Sequence, residues 1–218
     1  MSGDGRGECL KILGVSRETA ERLDRYLALL DKWQKRLNLI GSRTIADVWT
    51  RHVLDSGQLA LHVAQSGRPA PRRWADLGSG AGFPGLVLAM MGAQDVHLIE
   101  SDRRKCAFLG QAARAAGVDV TIHAARIETL APLGADIVTA RALAPLGTLI
   151  GLASPHLSPE GEMWFLKGAD VQEELTRARQ CWTFDATLLP SLTSGTGSVV
   201  RLRRIAPLAR SVRGRDDE

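Results

Sequence analysis

The stretch Arg73-Trp-Ala-Asp76-Leu-Gly78-Ser-Gly80-Ala-Gly82-Phe83-Pro84-Gly85 constrains this chain more than any other. A short apolar run ends in a turn with glycine at alternate positions. The run Leu86-Val87-Leu88-Ala89-Met90 then continues as a helix. Strand, glycine turn and helix in that order open a β–α unit. Gly78, Gly80 and Gly82 carry no Cβ, so the chain can bend with positive φ and let a ligand reach bare backbone. Pro84 falls near the first helical turn, where a missing N–H costs nothing. The helix N-terminus adds free N–H groups and partial positive charge.

From Arg72 onward, short apolar runs alternate with amphipathic segments. The pattern predicts strands over Arg72–Leu77, Asp95–Glu100, Val120–Ala124, Ala135–Ala140 and Glu162–Lys167. Helices are predicted over Pro84–Met91, Arg103–Ala116, Leu143–His156 and Ala169–Cys181. Such alternation builds a parallel, doubly wound sheet. Near the end, Thr183–Leu189 and Ser198–Arg204 read as strands with no helix between them, so they form a hairpin with one antiparallel member. The expected fold is α/β: a Rossmann-like, mostly parallel seven-stranded sheet closed by a C-terminal antiparallel hairpin, as in class I S-adenosylmethionine-dependent methyltransferases.

An N-terminal helical cap is expected over residues 1–66, the main domain over 67–207 and a disordered charged tail over 208–218. Within the cap, residues 1–15 read as frayed. Leu23, Tyr26, Leu27, Leu30, Trp33 and Leu37 recur at helical spacing across Glu18–Asn38. A second helix is expected from Thr44 to Gln65, with Val48, His52, Leu59 and Val63 along one side.

A hydrophobic fraction of 44% over 218 residues supports one good-sized core. The 3 cysteines form no CxxC pair, which speaks against a disulfide framework and against zinc. No metal is expected. The apolar stretches are broken by Gly or Pro and too short to span a bilayer, and the N-terminus has no apolar signal core. A cytoplasmic protein without membrane contact is expected. Formal charge is +4, with arginine in excess over lysine. That suits phosphate contact but does not by itself establish a nucleic-acid partner.

The candidate cofactor residues cluster at the strand ends. Asp76 precedes Gly78 by two residues, and its carboxylate can polarise the turn or receive a cationic ligand end. Glu100 ends the second predicted strand, where an acid can accept ribose hydroxyls. A nicotinamide cofactor would use the same acid. After the third strand, Ile127 can pack on an adenine and Glu128 can bond its amine; a helix start with an ion pair explains the segment as well. Arg141 ends the fourth strand and faces the crevice where ligands of open α/β sheets bind. It can hold a cofactor carboxylate, a substrate phosphate or a base, or cap the next helix. Arg51 and Asp55 are spaced to pair on one helical face, with His52 and Ser56 in the adjoining row. The four can grip a substrate or simply pack on the sheet. Asn38 reads as a helix C-cap or a polar group near the site.

With these residues in view, the chain resembles the bacterial small-subunit ribosomal RNA guanine-N7 methyltransferases, also called glucose-inhibited division protein B. The resemblance runs from about Leu30 to Arg204. It is carried by Trp33-Gln-Lys-Arg-Leu-Asn38-Leu, Arg51-His52-Val-Leu54-Asp55-Ser56, the Asp76–Gly85 turn, Ala125-Arg126-Ile127-Glu128, Ala140-Arg141-Ala142 and Leu166-Lys167-Gly168. The Arg-His-x-x-Asp-Ser element sets it apart from ordinary methyltransferases. Glu100 stands where many members have Asp.

The resemblance implies S-adenosyl-L-methionine as cofactor, contacted at Gly78, Phe83, Ile127, Glu128 and Arg141. It implies methylation at N7 of a single guanine in 16S ribosomal RNA. The expected partner is that RNA, in the small subunit or an assembly intermediate, met by a monomer. Guanine N7 carries a lone pair and no proton, so no general base is required. Asp55 is the candidate to stabilise positive charge developing on the base, with Arg51, His52 and Arg141 around it. Arg36, Arg43, Arg51, Arg103, Arg104, Arg201, Arg203 and Arg204 are candidates for the flanking phosphates. Two other readings use the same turn: a methyltransferase acting on a small molecule or protein, and a nicotinamide oxidoreductase.

Overall fold

A computed structural model describes residues 3–208 of the chain. The tail expected at 208–218 lies outside the described residues except for Leu208.

Seven strands form one sheet in the order β3-β2-β1-β4-β5-β7-β6. They are β1 (Trp74–Leu77), β2 (Val96–Glu100), β3 (Thr121–Ala124), β4 (Ala135–Arg141), β5 (Leu157–Lys167), β6 (Trp182–Pro190) and β7 (Ser198–Pro207). The first five run parallel, and β7 pairs antiparallel with both β5 and β6. The order reverses between β1 and β4, opening a crevice at their carboxyl ends. Strand β5 begins at Leu157, earlier than the Glu162 expected from its apolar run. The chain stays in the sheet through an irregularity opposite Ala135 and Ile137. Gly161 permits this: a Cβ there would sit 2.7 Å from the Ala135 carbonyl oxygen.

The helices are α1 (Gly3–Leu13), α2 (Arg17–Gln34), α3 (Asp55–Gln65), α4 (Gly85–Met90), α5 (Arg103–Ala116), α6 (Leu146–Ala153) and α7 (Val171–Ala178). Helices α1–α5 share one apolar core with one sheet face, through Leu13, Leu27, Leu59, Leu86, Phe108 and Trp164. Helices α6 and α7 cover the other face through Leu146, Ile150, Val171 and Leu175. Local signals set several ends. Ser16 caps α2 by accepting from the Thr19 N–H. Asp102 caps α5, which stops at Gly117 with φ +66°.

Three expectations for the N-terminal segment need correction. Within the segment 1–15, the described residues from 3 onward are not frayed: they hold α1, with Cys9 and Leu13 buried. Arg6 grips Asp24 of α2 through two bonds of 2.9 and 2.6 Å. Helix α2 ends at Gln34, not Asn38. The Gln34 side chain accepts from the Leu39 and Ile40 N–H groups and so holds the following loop, leaving Asn38 exposed. Asn38 is therefore no C-cap. The segment 44–65 is not one helix either. A 3-10 turn spans Ser42–Thr44, and a π-helical turn spans Trp49–Leu54 ahead of α3. The wider turn buries Trp49, His52, Val53 and Leu54 together.

Candidate functional site

The glycine turn after β1 is built as a cradle. Gly78, Gly80 and Gly82 have φ of +66°, +55° and +94°, in the left-handed region where a side chain is strained. Asp76 lies beneath, buried, accepting from the Thr139 hydroxyl at 3.0 Å and the Gly85 N–H at 3.2 Å. Gly85 is needed for that approach, since a Cβ there would lie 2.3 Å from Leu98 Cδ2 and 2.8 Å from Asp76 Oδ2. Burial pushes the Asp76 carboxyl up to about 6, against the pull of its hydrogen bonds. Both its oxygens are engaged inside the protein, so Asp76 shapes the turn from below.

Glu100 reaches the cradle from β2. Its Oε2 accepts from the Gly80 N–H at 3.0 Å and its Oε1 from the Asp102 N–H at 2.7 Å. The half-buried Cys106 donates its thiol to the Glu100 carbonyl. From β3 the chain enters a 3-10 turn over Ile127–Thr129. The Ile127 side chain is packed into the core below the sheet, while Glu128 is exposed. The Ile127 carbonyl accepts from the Leu130 N–H at 3.2 Å and meets His156 Nε2 at 3.2 Å.

Phe83 is buried at the head of the turn, with three groups packed around its ring. Its ring lies 5.4 Å from Tyr26 and 4.9 Å from His52 between centroids. The Arg141 guanidinium sits 5.1 Å over it. Arg141 also donates to the Arg51 carbonyl at 3.1 Å and lies 3.6 Å from Asp55 Oδ2. The expected gathering of Arg141, Asp55, His52 and Phe83 is thus present, with a changed pairing. Asp55 does not pair with Arg51. The π-helical turn ends at Leu54, so the four-residue spacing of an α-helix no longer aligns the two. Arg51 is exposed at the rim.

His52 is buried, and its Nε2 meets the Thr44 hydroxyl at 2.8 Å. Burial, with Arg141 and Arg51 nearby, lowers its pKa to about 3. It is a neutral packing group against Phe83 at physiological pH, not a cation for gripping phosphate. Burial raises the Asp55 carboxyl, while Arg141 and the Thr193 bond pull it back.

Three residues of the site were not singled out from sequence. The Tyr26 hydroxyl donates to the Ala81 carbonyl at 2.6 Å, tying α2 to the cradle. A lone tyrosine on an apolar helical stripe was the available signal, because a buried hydroxyl needs a partner. Gln58 is fully buried. Its amide donates to Asp55 Oδ1 at 2.9 Å and accepts from the Leu192 N–H at 2.8 Å. The Thr193 hydroxyl, in the β6–β7 loop, also donates to Asp55 Oδ1 at 3.1 Å. That loop read only as a hairpin turn. Between it and the ends of β4 and β5 lies a cavity of about 370 Å³, reached by Arg51, Asp55, Arg141 and Lys167.

Residues 19–200 match the family described as rRNA small subunit methyltransferase G, GidB. The chain belongs to this family. A ribosomal RNA small subunit methyltransferase G from Paramagnetospirillum magneticum is 55% identical over 202 residues, covering 93% of this chain and 97% of that protein. One from Cereibacter sphaeroides is 47% identical over 199 residues, covering 89% and 95%. Among solved structures, the ribosomal protein L11 methylase from Lactobacillus delbrueckii subsp. bulgaricus superimposes with a TM-score of 0.56 at 17% identity, over 69% of this chain and 78% of that one. At that identity the likeness shows the fold alone, and it is the class I methyltransferase fold expected from the strand pattern. The methyltransferase G match covers the cradle, Phe83, Arg141 and the Arg51–Ser56 element together.

Proposed function

We propose that the protein transfers a methyl group from S-adenosyl-L-methionine to N7 of one guanine in 16S ribosomal RNA, in the cytoplasm, acting on the small subunit or an assembly intermediate. One observation carries this reading. A glycine cradle pinned by Glu100 and Tyr26 faces an arginine–carboxylate pair across one aromatic ring.

The residues fit the cofactor. At Gly78 an added Cβ would lie 2.7 Å from Leu143 Cδ1 at a φ of +66°, so the turn keeps its shape only with a bare backbone there. Gly78 and Phe83 would flank the cofactor, with Ile127 and Glu128 at one end and Arg141 at the other. The bound cofactor supplies a methyl group on a positively charged sulfur. The chain's own task is placement: holding the base in line and keeping water out. No proton has to leave N7, in keeping with the neutral His52 beside Phe83.

For the RNA, Arg36 and Arg104 come together in one groove with Lys32, Lys35 and the half-buried Trp33. Arg104 is paired with Asp102 at 3.3 Å, and Lys32, Lys35 and Arg36 suit a phosphate backbone. Arg201 leaves the list of phosphate candidates. It is committed to the buried Glu162 by bonds of 2.9 and 2.6 Å and stacked on Trp164. Arg204 is paired with Asp185.

The decisive experiment is mass spectrometry of 16S ribosomal RNA from cells with and without the gene. One N7-methylguanine should vanish on deletion and return when purified enzyme and S-adenosylmethionine are added to the unmodified subunits. Unchanged RNA would overturn the reading. Affinity for RNA should fall steeply with salt.

A further inference from the structure

The cavity between Asp55 and the β6–β7 loop holds a carboxylate hydrogen-bonded through one oxygen, with the other ion-paired to Arg141. Asp55 Oδ1 accepts from both Gln58 and Thr193. Among the described residues, Oδ2 faces only the Arg141 guanidinium, at 3.6 Å, too far for a direct hydrogen bond. The Asp55 side chain is 19% exposed, and that exposure opens into the cavity. A volume of about 370 Å³ is of the size that takes a small planar ligand.

We propose that this cavity seats the target guanine and that Asp55 reads its Watson–Crick edge, Oδ2 accepting from both N1–H and the N2 amine. The inference rests on the guanine-N7 reading above and adds what that reading lacks, a residue that tells guanine from other bases. Of the four bases, guanine alone offers two adjacent donors on that edge, which the two lone pairs of one carboxylate oxygen can accept together. N7 lies on the opposite edge, so a base held this way keeps its reacting nitrogen free.

The same contact favours the reaction. As the N7 lone pair forms the new N–C bond, the C–S bond breaks and its electron pair stays on sulfur. The purine gains one positive charge and loses no proton. That charge is shared around the ring and makes N1–H and the N2 amine stronger donors. Their bonds to Asp55 therefore tighten toward the transition state, and it is this difference that accelerates a reaction. Gln58 and Thr193 are positioning residues, since they fix the rotation of the carboxylate. Gln58 is itself oriented by the Leu192 N–H.

The fixed rotation makes Asp55→Asn informative. Two donors meet at the Oδ1 position, so the amide oxygen must take that place. The amide NH2 then points into the cavity, toward the guanine donors. The test uses small subunits carrying either guanosine or inosine at the modified position. Inosine keeps N1–H and N7 but lacks the N2 amine. The wild-type enzyme should favour guanosine in kcat/KM by at least about tenfold, the loss expected for one charge-assisted bond. Asp55→Asn should lower kcat on guanosine by at least about tenfold and bring the guanosine-to-inosine ratio to within about twofold. The residual ratio reports the intrinsic reactivity of the two bases.

Binding of S-adenosylhomocysteine by calorimetry should be unchanged, which separates a reader of the base from a fold defect. Thr193→Val, a milder change, should lower the ratio partially, and Thr193→Ser should restore it. If either Asp55→Asn or Thr193→Val keeps the full wild-type ratio, the proposal is overturned. If wild-type enzyme leaves guanosine subunits unmodified, the guanine reading itself fails, and the role of Asp55 falls with it.

Discussion

Tyr26 donates its hydroxyl to the Ala81 carbonyl at 2.6 Å, across 55 residues of sequence, inside the protein. The contact makes α2 part of the cofactor cradle. Tyr26 also packs its ring against Phe83, so one residue braces both the backbone and the wall of the crevice.

Tyr26→Phe removes the hydroxyl while keeping the ring. It leaves the Ala81 carbonyl buried without its donor, a loss of about 1–3 kcal/mol. Urea denaturation should show that decrease. Calorimetry with S-adenosylhomocysteine should show weaker binding, because the turn is no longer pinned. Unchanged affinity would separate the helical segment from the cradle.

Asp76 carries a stability cost that depends on pH. Its carboxyl is raised from 3.8 to about 6 in the folded protein. Between those values the folded state binds more protons than the unfolded state, so stability from this group is greatest below 3.8. It falls as pH rises through about 6 and is level above. A shift of this size corresponds to roughly 3 kcal/mol. Asp76→Asn keeps an acceptor for Gly85 and a partner for Thr139 without the buried charge. The variant should lack this slope and be more stable than wild type at pH 8. Parallel stability curves from pH 4 to 8 would refute the assignment.

Arg141 joins Phe83, Asp55 and the Arg51 carbonyl. Arg141→Ala should lower kcat/KM by at least about tenfold, the loss of one charge-assisted contact. It should also move the acid limb of the rate profile to higher pH. Arg141 holds the Asp55 carboxyl down, so removing it lets burial push that group further up. Arg141→Lys should recover little, because an ammonium cannot lie flat on Phe83 while bonding the Arg51 carbonyl. Wild-type rates with an unshifted profile would make Arg141 a surface residue.

Much of the architecture was legible locally. The alternation of apolar runs and amphipathic segments set the strands of the parallel sheet, and the missing helix before Ser198 announced the hairpin. The spaced glycines located the turn, because positive φ is a demand made by a few bonds of backbone. Asp76, Glu100 and Arg141 were legible by the same logic, each standing at a strand end that the sheet must bring to one edge. Sequence by itself therefore determined the fold class, the place of the crevice and most of the groups around it.

Tertiary structure decided who partners whom. Arg51 and Asp55 looked like a helical pair, but burying Trp49, His52, Val53 and Leu54 together widened the turn and left Asp55 to Arg141, Gln58 and Thr193. The glycine-rich start of the chain became a helix because Leu13 found a seat over Gly57, where no Cβ stands in the way. Thr193 stands 138 residues from the carboxylate it orients, and no local pattern encodes such a distance. Hydrogen bonds and ion pairs across the sheet form only after burial has removed competing water, so their partners are chosen by packing and not by spacing along the chain.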